Sequence, residues 1–203
     1  MADAAAAGGG LVAWVNAPKR LGGEHHPTLD ELSIGLPSRL DARKLRDLAT
    51  LEFIPARANV AIVGPTGVGK TTLASALAVA AAEAGFSVYF TTLHHLIDRL
   101  RAADSAGRLD RQLQVYLRPS VLVVDDIGRR PLDRVEATML LMLLGGRCGR
   151  GSMIITSSRR LTDWGQVLGG HVLATAILGR LLDHCHVLNV TGTTLGRTLA
   201  TIG

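Results

Sequence analysis

The residues best equipped for chemistry in this 203-residue chain run from Gly64 to Thr71 as Gly-Pro-Thr-Gly-Val-Gly-Lys-Thr, the spacing G-x-x-x-x-G-K-[ST]. Glycines at 64, 67 and 69 let the backbone curl until successive N–H groups point at one centre. A Cβ at those positions would obstruct the close approach of a phosphate. Lys70 supplies a cation for the β- and γ-phosphates, and the Thr71 hydroxyl is a hard oxygen ligand for Mg²⁺. The spacing predicts a loop that cradles ATP as its Mg²⁺ complex, built from Gly64, Pro65, Thr66, Gly67, Val68, Gly69, Lys70, Thr71 and Thr72.

A second group lies downstream, where the apolar run Val121–Val124 leads straight into Asp125-Asp126. A buried strand that ends on a carboxylate delivers it to the metal, so Asp125 is the candidate metal ligand. Asp126 is placed to orient or deprotonate the attacking water. Another apolar run, Met153–Thr156, ends in Ser157-Ser158, and either serine could hold the water or sense the γ-phosphate. Arg180 is the only cation between Arg160 and Arg197. It suits an arginine that reaches a neighbouring subunit's γ-phosphate, and equally a helix arginine whose stem lies along apolar surface.

These residues need elements to position them. Val60–Val63 is a short apolar run bounded by Gly64, and it predicts a buried strand. Lys70–Ala84 predicts a helix closed by Gly85. Beyond it the pattern predicts a strand at Ser87–Thr91, helices at His94–Ala103 and Arg108–Leu117, and the acid-bearing strand at 121–124. A helix at Asp133–Leu144 is expected to end at Gly145-Gly146. A strand at Met153–Thr156, a short helix capped by Thr162, a helix at His171–Asp183 and a strand at Val187–Val190 follow.

Alternating βα units predict an α/β chain, a parallel five-stranded sheet with helices on both faces and the ligand at the carboxyl ends of the strands. The extra βα unit between Lys70 and Asp125 implies that the 153–156 strand inserts between the loop strand and the acid strand. Upstream, residues 1–26 read as a mobile Ala/Gly-rich tail with Trp14 as its bulky anchor. Leu29, Leu32, Ile34 and Leu36 follow, then helical spacing over roughly 40–51.

Composition bounds the rest. At 47% hydrophobic residues the chain can bury one ordinary domain core. No stretch is long and apolar enough to span a bilayer, and the N-terminus lacks a basic region of the secretory kind, which makes the cytoplasm the expected compartment. Cys148 and Cys185 form no CxxC pair, and His184-Cys185-His186 has no second ligand pair at metal-site spacing. The net charge is +5, and the excess sits in residues 129–160, where seven arginines face only Asp133 and Glu136. Such a concentration suits either a polyanion footprint or a solvated arginine-rich surface. Arg129, Arg130, Arg159 and Arg160 follow strands and belong at the nucleotide edge, whereas Arg147 and Arg150 precede a strand and belong at the other.

Taken together, the chain resembles an IstB-like ATPase, the AAA+ helper of insertion-sequence transposition, close to the DnaC-type helicase loaders. The resemblance runs from about Pro27 to Val190. It rests on Leu48–Ile54, Asn59–Ala76, Arg118–Gly128, Pro131–Arg134, Gly151–Ser158, Asp163-Trp-Gly-Gln-Val167 and Ala174–Asn189. It implies an AAA+ P-loop NTPase domain over 27–203 that assembles with nucleotide into a homo-oligomer on DNA and recruits or regulates a transposase. It implies a sensor role for Ser158 and an arginine-finger position for Arg180. The alternative it leaves open is a DnaC-like switch that loads a replicative helicase and hydrolyses weakly. The family usually has Asp-Glu where this chain has Asp125-Asp126, and Asn where it has Ser158. Its helical N-terminal region is expected to be absent here, since only the tail precedes Pro27.

Overall fold

A computed structural model describes residues 13–15 and 42–191 of the chain. In chain order the elements are β1 (Ala13–Val15), α1 (Ala42–Ala49), β2 (Asn59–Val63), α2 (Lys70–Glu83), β3 (Val88–Thr92), α3 (Leu93–Ser105) and α4 (Leu109–Leu117). Then come β4 (Val121–Ile127), α5 (Arg134–Arg147), β5 (Ser152–Ser157), a 3-10 turn at Leu161–Gln166, α6 (His171–Leu182) and β6 (Cys185–Asn189). The tail expected over 1–26, apart from Ala13–Val15, and Leu29, Leu32, Ile34 and Leu36 lie outside the described residues.

One sheet runs in the order β1-β3-β4-β5-β2-β6. Five of its strands are parallel, and β5 stands between the loop strand β2 and the acid strand β4, as the extra βα unit implied. The sixth strand is Ala13–Val15, which pairs antiparallel with β3, Trp14 opposite Tyr89, at the bulky residue through which the sequence reading allowed the tail to dock in part. A three-residue strand needs no hydrophobic pattern of its own, because its order comes from the unpaired backbone edge of β3.

The central strands alternate between two cores. Val60, Ile62, Val121, Val123 and Ile154 face α1 and α2, while Ala61, Val63, Leu122, Val124, Met153 and Ile155 face α3–α6. That period of two, with both faces covered, is why these runs are apolar at every position. It also fixes which strand-end residues meet the loop helix.

Helix α5 does not stop at Gly145-Gly146; it continues to Arg147. Gly146 sits where the helix crosses α4, and a Cβ there would come within 2.9 Å of Leu117 Cδ2. Arg147, only 2% exposed, donates from Nη1 to the carbonyls of Tyr116 and Pro119, and from Nη2 to Pro119, Ser120 and Ser152. Five hydrogen bonds to four carbonyls outweigh the helix-ending tendency of two glycines. Thr162 lies inside the 3-10 turn instead of capping a helix, and its hydroxyl donates to Asp163 Oδ1 at 3.2 Å.

Candidate nucleotide site

The phosphate loop occupies the turn between β2 and α2, at the carboxyl end of the sheet. Gly67 and Gly69 have φ of 83° and 91°, a left-handed backbone that glycine adopts without a Cβ penalty. Gly64 is required for another reason: a Cβ on it would lie 2.1 Å from the carbonyl oxygen of Val190. The Gly64 N–H donates to Ser157 O, which ties the loop to the end of β5. Pro65, Thr66 and Gly67 are exposed at the crest, and Val68 is buried against the α1–α2 core, holding the loop down. Lys70 Nζ donates to Pro65 O at 2.7 Å, across the loop it belongs to. Burial pushes the Lys70 ammonium below its ordinary value, and the charges of Asp125 and Asp126 oppose that shift. Thr71 and Thr72 open α2, where unpaired N–H groups and the helix dipole favour an anion.

Asp125 is brought to Thr71 by parity. It shares the strand face of Val121 and Val123, the face covered by α2. Thr71 Oγ1 lies 3.0 and 3.1 Å from the two Asp125 carboxylate oxygens. Thr156 Oγ1 donates to Asp125 Oδ1 from the other side and accepts from the Asp126 N–H at 2.9 Å. A hydroxyl, a carboxylate and a second hydroxyl thus form a chain across α2, β4 and β5. Oxygen donors of this kind, few in number, suit Mg²⁺, which is bound through one or two carboxylates and otherwise keeps waters and phosphate oxygens.

Thr156 is the residue that sequence reasoning passed over in favour of the serines after it. Its signal was parity: two residues after Ile154, it faces α2, as Asp125 does. Ser157 is committed to the scaffold. Its hydroxyl donates to Ile127 O and accepts from the Arg159 N–H and the Trp164 indole N–H. Ser158 lies one residue past β5, half-buried and level with Gly64 by the β2–β5 register.

The acidic pair lies inside β4, which extends through it to Ile127. Between Val124 and Ile127 the pairing with β5 gains one residue on the β4 side, a bulge. Asp126 occupies it with φ of 63°, strained backbone for a residue with a Cβ. The bulge turns its carboxylate away from Asp125. Asp126 Oδ2 pairs with Arg129 Nη1 at 3.3 Å and lines a cleft of about 430 Å³ with Thr92, His94, Arg129 and Arg130.

The arginines of residues 129–160 do not form one patch. Arg130 donates twice to Glu136, which is 3% exposed and also accepts from Arg101 and the Asp133 N–H. The Arg130 bonds hold the Glu136 carboxyl down at about 2, against the upward push of burial. Arg129 and Arg160 pair with Asp126 and Asp163, and Arg147 is buried in its carbonyl cage. Arg99, Arg108 and Arg111, on or beside α3 and α4, are exposed. Arg180 is exposed in the last turn of α6, near Asn59 and Met153 at the starts of β2 and β5. The structure therefore separates it from Lys70 and Asp125 by the length of the strands.

Among the described residues no helix is long and apolar enough to cross a membrane.

The profile of the family described as IstB-like ATP binding protein matches residues 19–198. The chain is 44% identical over 165 residues to a Pseudomonas aeruginosa protein of insertion sequence IS21 named for ATP binding; the match covers 81% of this chain and 62% of that one. It is 37% identical over 168 residues to the corresponding protein of insertion sequence IS5376 from Geobacillus stearothermophilus, covering 83% of this chain and 67% of that one. The chain thus spans about two thirds of the length of the relatives it matches. Among solved structures, DnaI superposes with a TM-score of 0.63 at 21% identity, covering 75% of this chain and 83% of that one. AMPPCP-bound DnaA from Aquifex aeolicus gives 0.66 at 15% identity, covering 84% and 51%. At those identities the structural likeness speaks for the fold, that of the P-loop AAA+ proteins.

Proposed function

The chain belongs to the IstB-like ATP-binding protein family, and on that premise we propose that it is an ATP-hydrolysing, DNA-associated helper of transposition. The observation that carries this reading is the Thr71–Asp125–Thr156 chain of side-chain contacts behind the phosphate loop. It joins the loop helix to the acid strand, which is what a site for a metal-bound triphosphate requires.

In this reading the loop N–H groups of Gly64–Thr72 bind the phosphates, and Lys70 moves its donors from Pro65 O to the β- and γ-phosphate oxygens. Thr71 and Asp125 would hold Mg²⁺, which would supply charge neutralisation for the phosphates. Thr156 positions Asp125 by fixing one of its oxygens. Asp126 takes a proton from, or orients, the attacking water, and Ser158 steadies that water from the end of β5. Arg180 acts on the nucleotide of a neighbouring copy, since within its own chain it sits at the far end of the sheet. Exposed Arg99, Arg108 and Arg111 contact DNA phosphates, and the partner is a transposase.

The test is turnover of Mg²⁺-ATP with and without duplex DNA, in the natural chain and in Asp126→Asn. The reading expects DNA-stimulated hydrolysis that drops on the order of a hundredfold in the variant. A second reading, a helicase-loading switch that hydrolyses weakly, is favoured by one observation: Asp126 is turned onto Arg129 in a strained bulge. Under it the basal rate is low, DNA does not raise it, and Asp126→Asn changes little.

A further inference from the structure

The bulge in β4 sets two residues against one. Val124 pairs with Ile155 and Ile127 with Ser157, so Asp125 and Asp126 together face a single residue of β5, Thr156. In a regular strand Asp126 would follow the parity of Leu122 and Val124 and enter the α3–α6 core. The extra residue gives that core position to Ile127 and leaves the Asp126 carboxylate beside the cleft. A charge is thereby kept out of an apolar core, where it would be costly without a partner. The same bulge forces a left-handed backbone on Asp126, which glycine adopts freely and aspartate does not.

Among the described residues, the three non-glycine residues with positive φ are held in different ways. Leu51 and Arg57 sit in turns, where their N–H groups donate to the carbonyls of Leu48 and Ile54. Main-chain bonds of that kind do not depend on a neighbouring side chain. The Asp126 N–H donates instead to Thr156 Oγ1 at 2.9 Å. That same hydroxyl gives its single proton to Asp125 Oδ1. Thr156 is 1% exposed, and its β-branched side chain is stiff at χ1, so the hydroxyl has little freedom to leave either partner. The Asp126 carboxylate, by contrast, pairs with an arginine that is 83% exposed, a contact that restrains little. What the fold fixes at Asp126 is its backbone, and it does so through Thr156.

We propose that Thr156 is the positioning residue for Asp126: one hydroxyl couples the carboxylate placed for the metal to the backbone from which the neighbouring carboxylate is aimed. The proposal rests on the hydrolysis reading above and adds to it the residue through which the two aspartates act together. Thr156 acts on turnover through Asp126 and on Mg²⁺-dependent binding through Asp125, so a double-mutant cycle separates the two effects.

The experiment compares the natural chain, Thr156→Val, Thr156→Ser, Asp126→Asn and the double variant that combines Thr156→Val with Asp126→Asn. Amide hydrogen exchange at Asp126, followed by nuclear magnetic resonance without nucleotide, reports the backbone directly. Turnover of Mg²⁺-ATP and affinity for a slowly hydrolysed analogue with Mg²⁺ report the two carboxylates. Thr156→Val is expected to speed exchange of the Asp126 amide on the order of tenfold. The Gly64 amide, which donates to Ser157 O at the same edge of the sheet, should change by less than about threefold. In Thr156→Val kcat should fall on the order of tenfold, but by less than about twofold when Asp126→Asn is already present. The weakening of analogue binding should be the same in both backgrounds. Thr156→Ser keeps the oxygen and loses the χ1 restriction, so exchange, kcat and affinity should stay within about threefold of the natural chain. Should Thr156→Val fail to fold, Thr156→Cys takes its place, because a thiol is a weak donor and acceptor.

An unchanged Asp126 amide in Thr156→Val would overturn the proposal. So would a loss of kcat as large beside Asp126→Asn as in the natural background, which would assign the whole effect to Asp125 or to the fold. A natural chain that binds the analogue without turning ATP over contradicts the hydrolysis reading. In that case a faster Asp126 amide in Thr156→Val still supports the positioning role, and an unchanged one overturns it. A natural chain that does not bind the analogue contradicts the ATP-binding reading itself.

Discussion

Asp125 and Asp126 are adjacent in sequence and differently restrained. Asp125 is gripped by hydroxyls from α2 and β5, whereas Asp126 is fixed at its N–H and pairs its carboxylate with an arginine that is 83% exposed. The two should therefore respond differently to substitution. Thr156→Val preserves shape, removes the donor to Asp125 and leaves the half-buried Asp126 N–H without its acceptor. It is expected to cost about 1–2 kcal/mol in urea unfolding and to weaken Mg²⁺-dependent ATP binding more than Mg²⁺-free binding. Arg129→Ala removes only a surface ion pair from Asp126, so stability should stay within about 0.5 kcal/mol of the natural chain in the same assay. The phosphate loop was legible in sequence because its chemistry is backbone chemistry, which spacing encodes. Thr156 was less so, since its role depends on a neighbouring strand and a bulge. Strand parity, read from Ile154 onward, is the one signal that pointed to it.

Among the elements, α5 carries the strongest electrostatics. Asp133 and Glu136 form a reciprocal capping box at its start, and Glu136 also anchors Arg130 and Arg101. A carboxyl held at about 2 by its Arg130 bonds stabilises the fold at any pH above its unfolded value near 4.5. That contribution is lost as pH falls from 4.5 toward 2. Acid unfolding of the natural chain should steepen across that window, and Glu136→Gln should flatten it, as followed by helix circular dichroism. At the other end, Arg147→Leu leaves the carbonyls of Tyr116, Pro119, Ser120 and Ser152 without this donor, and a loss of about 3 kcal/mol is expected in denaturant melts. Helix lengths elsewhere followed from apolar spacing, because tertiary packing agreed with local preference. At Gly145-Gly146 local preference favoured a stop, and a close helix crossing plus a buried guanidinium overrode it. Neither can be seen in a linear pattern, so Arg147 was grouped with surface cations.

At the scale of the whole molecule, the doubly wound order placed the loop and acid strands on either side of β5, and that much was readable from the number of βα units. The antiparallel pairing of Ala13–Val15 was not, because it depends on a sheet edge and on no periodicity in the segment itself. The charge map also belongs to this scale. Exposed Arg99, Arg108 and Arg111 are the cations proposed for DNA, so Arg108→Ala with Arg111→Ala should lower affinity uniformly across sequences. It should also reduce the slope of log affinity against log salt by about one for each DNA phosphate that is no longer neutralised. The functional reading presupposes nucleotide at the phosphate loop. The most direct test is calorimetric titration of Mg²⁺-ATP into the natural chain and into Lys70→Ala. The account predicts one site per chain with a dissociation constant on the order of micromolar, weakened at least about tenfold by the substitution. No heat of binding in the natural chain, or equal affinity in the two, would contradict it.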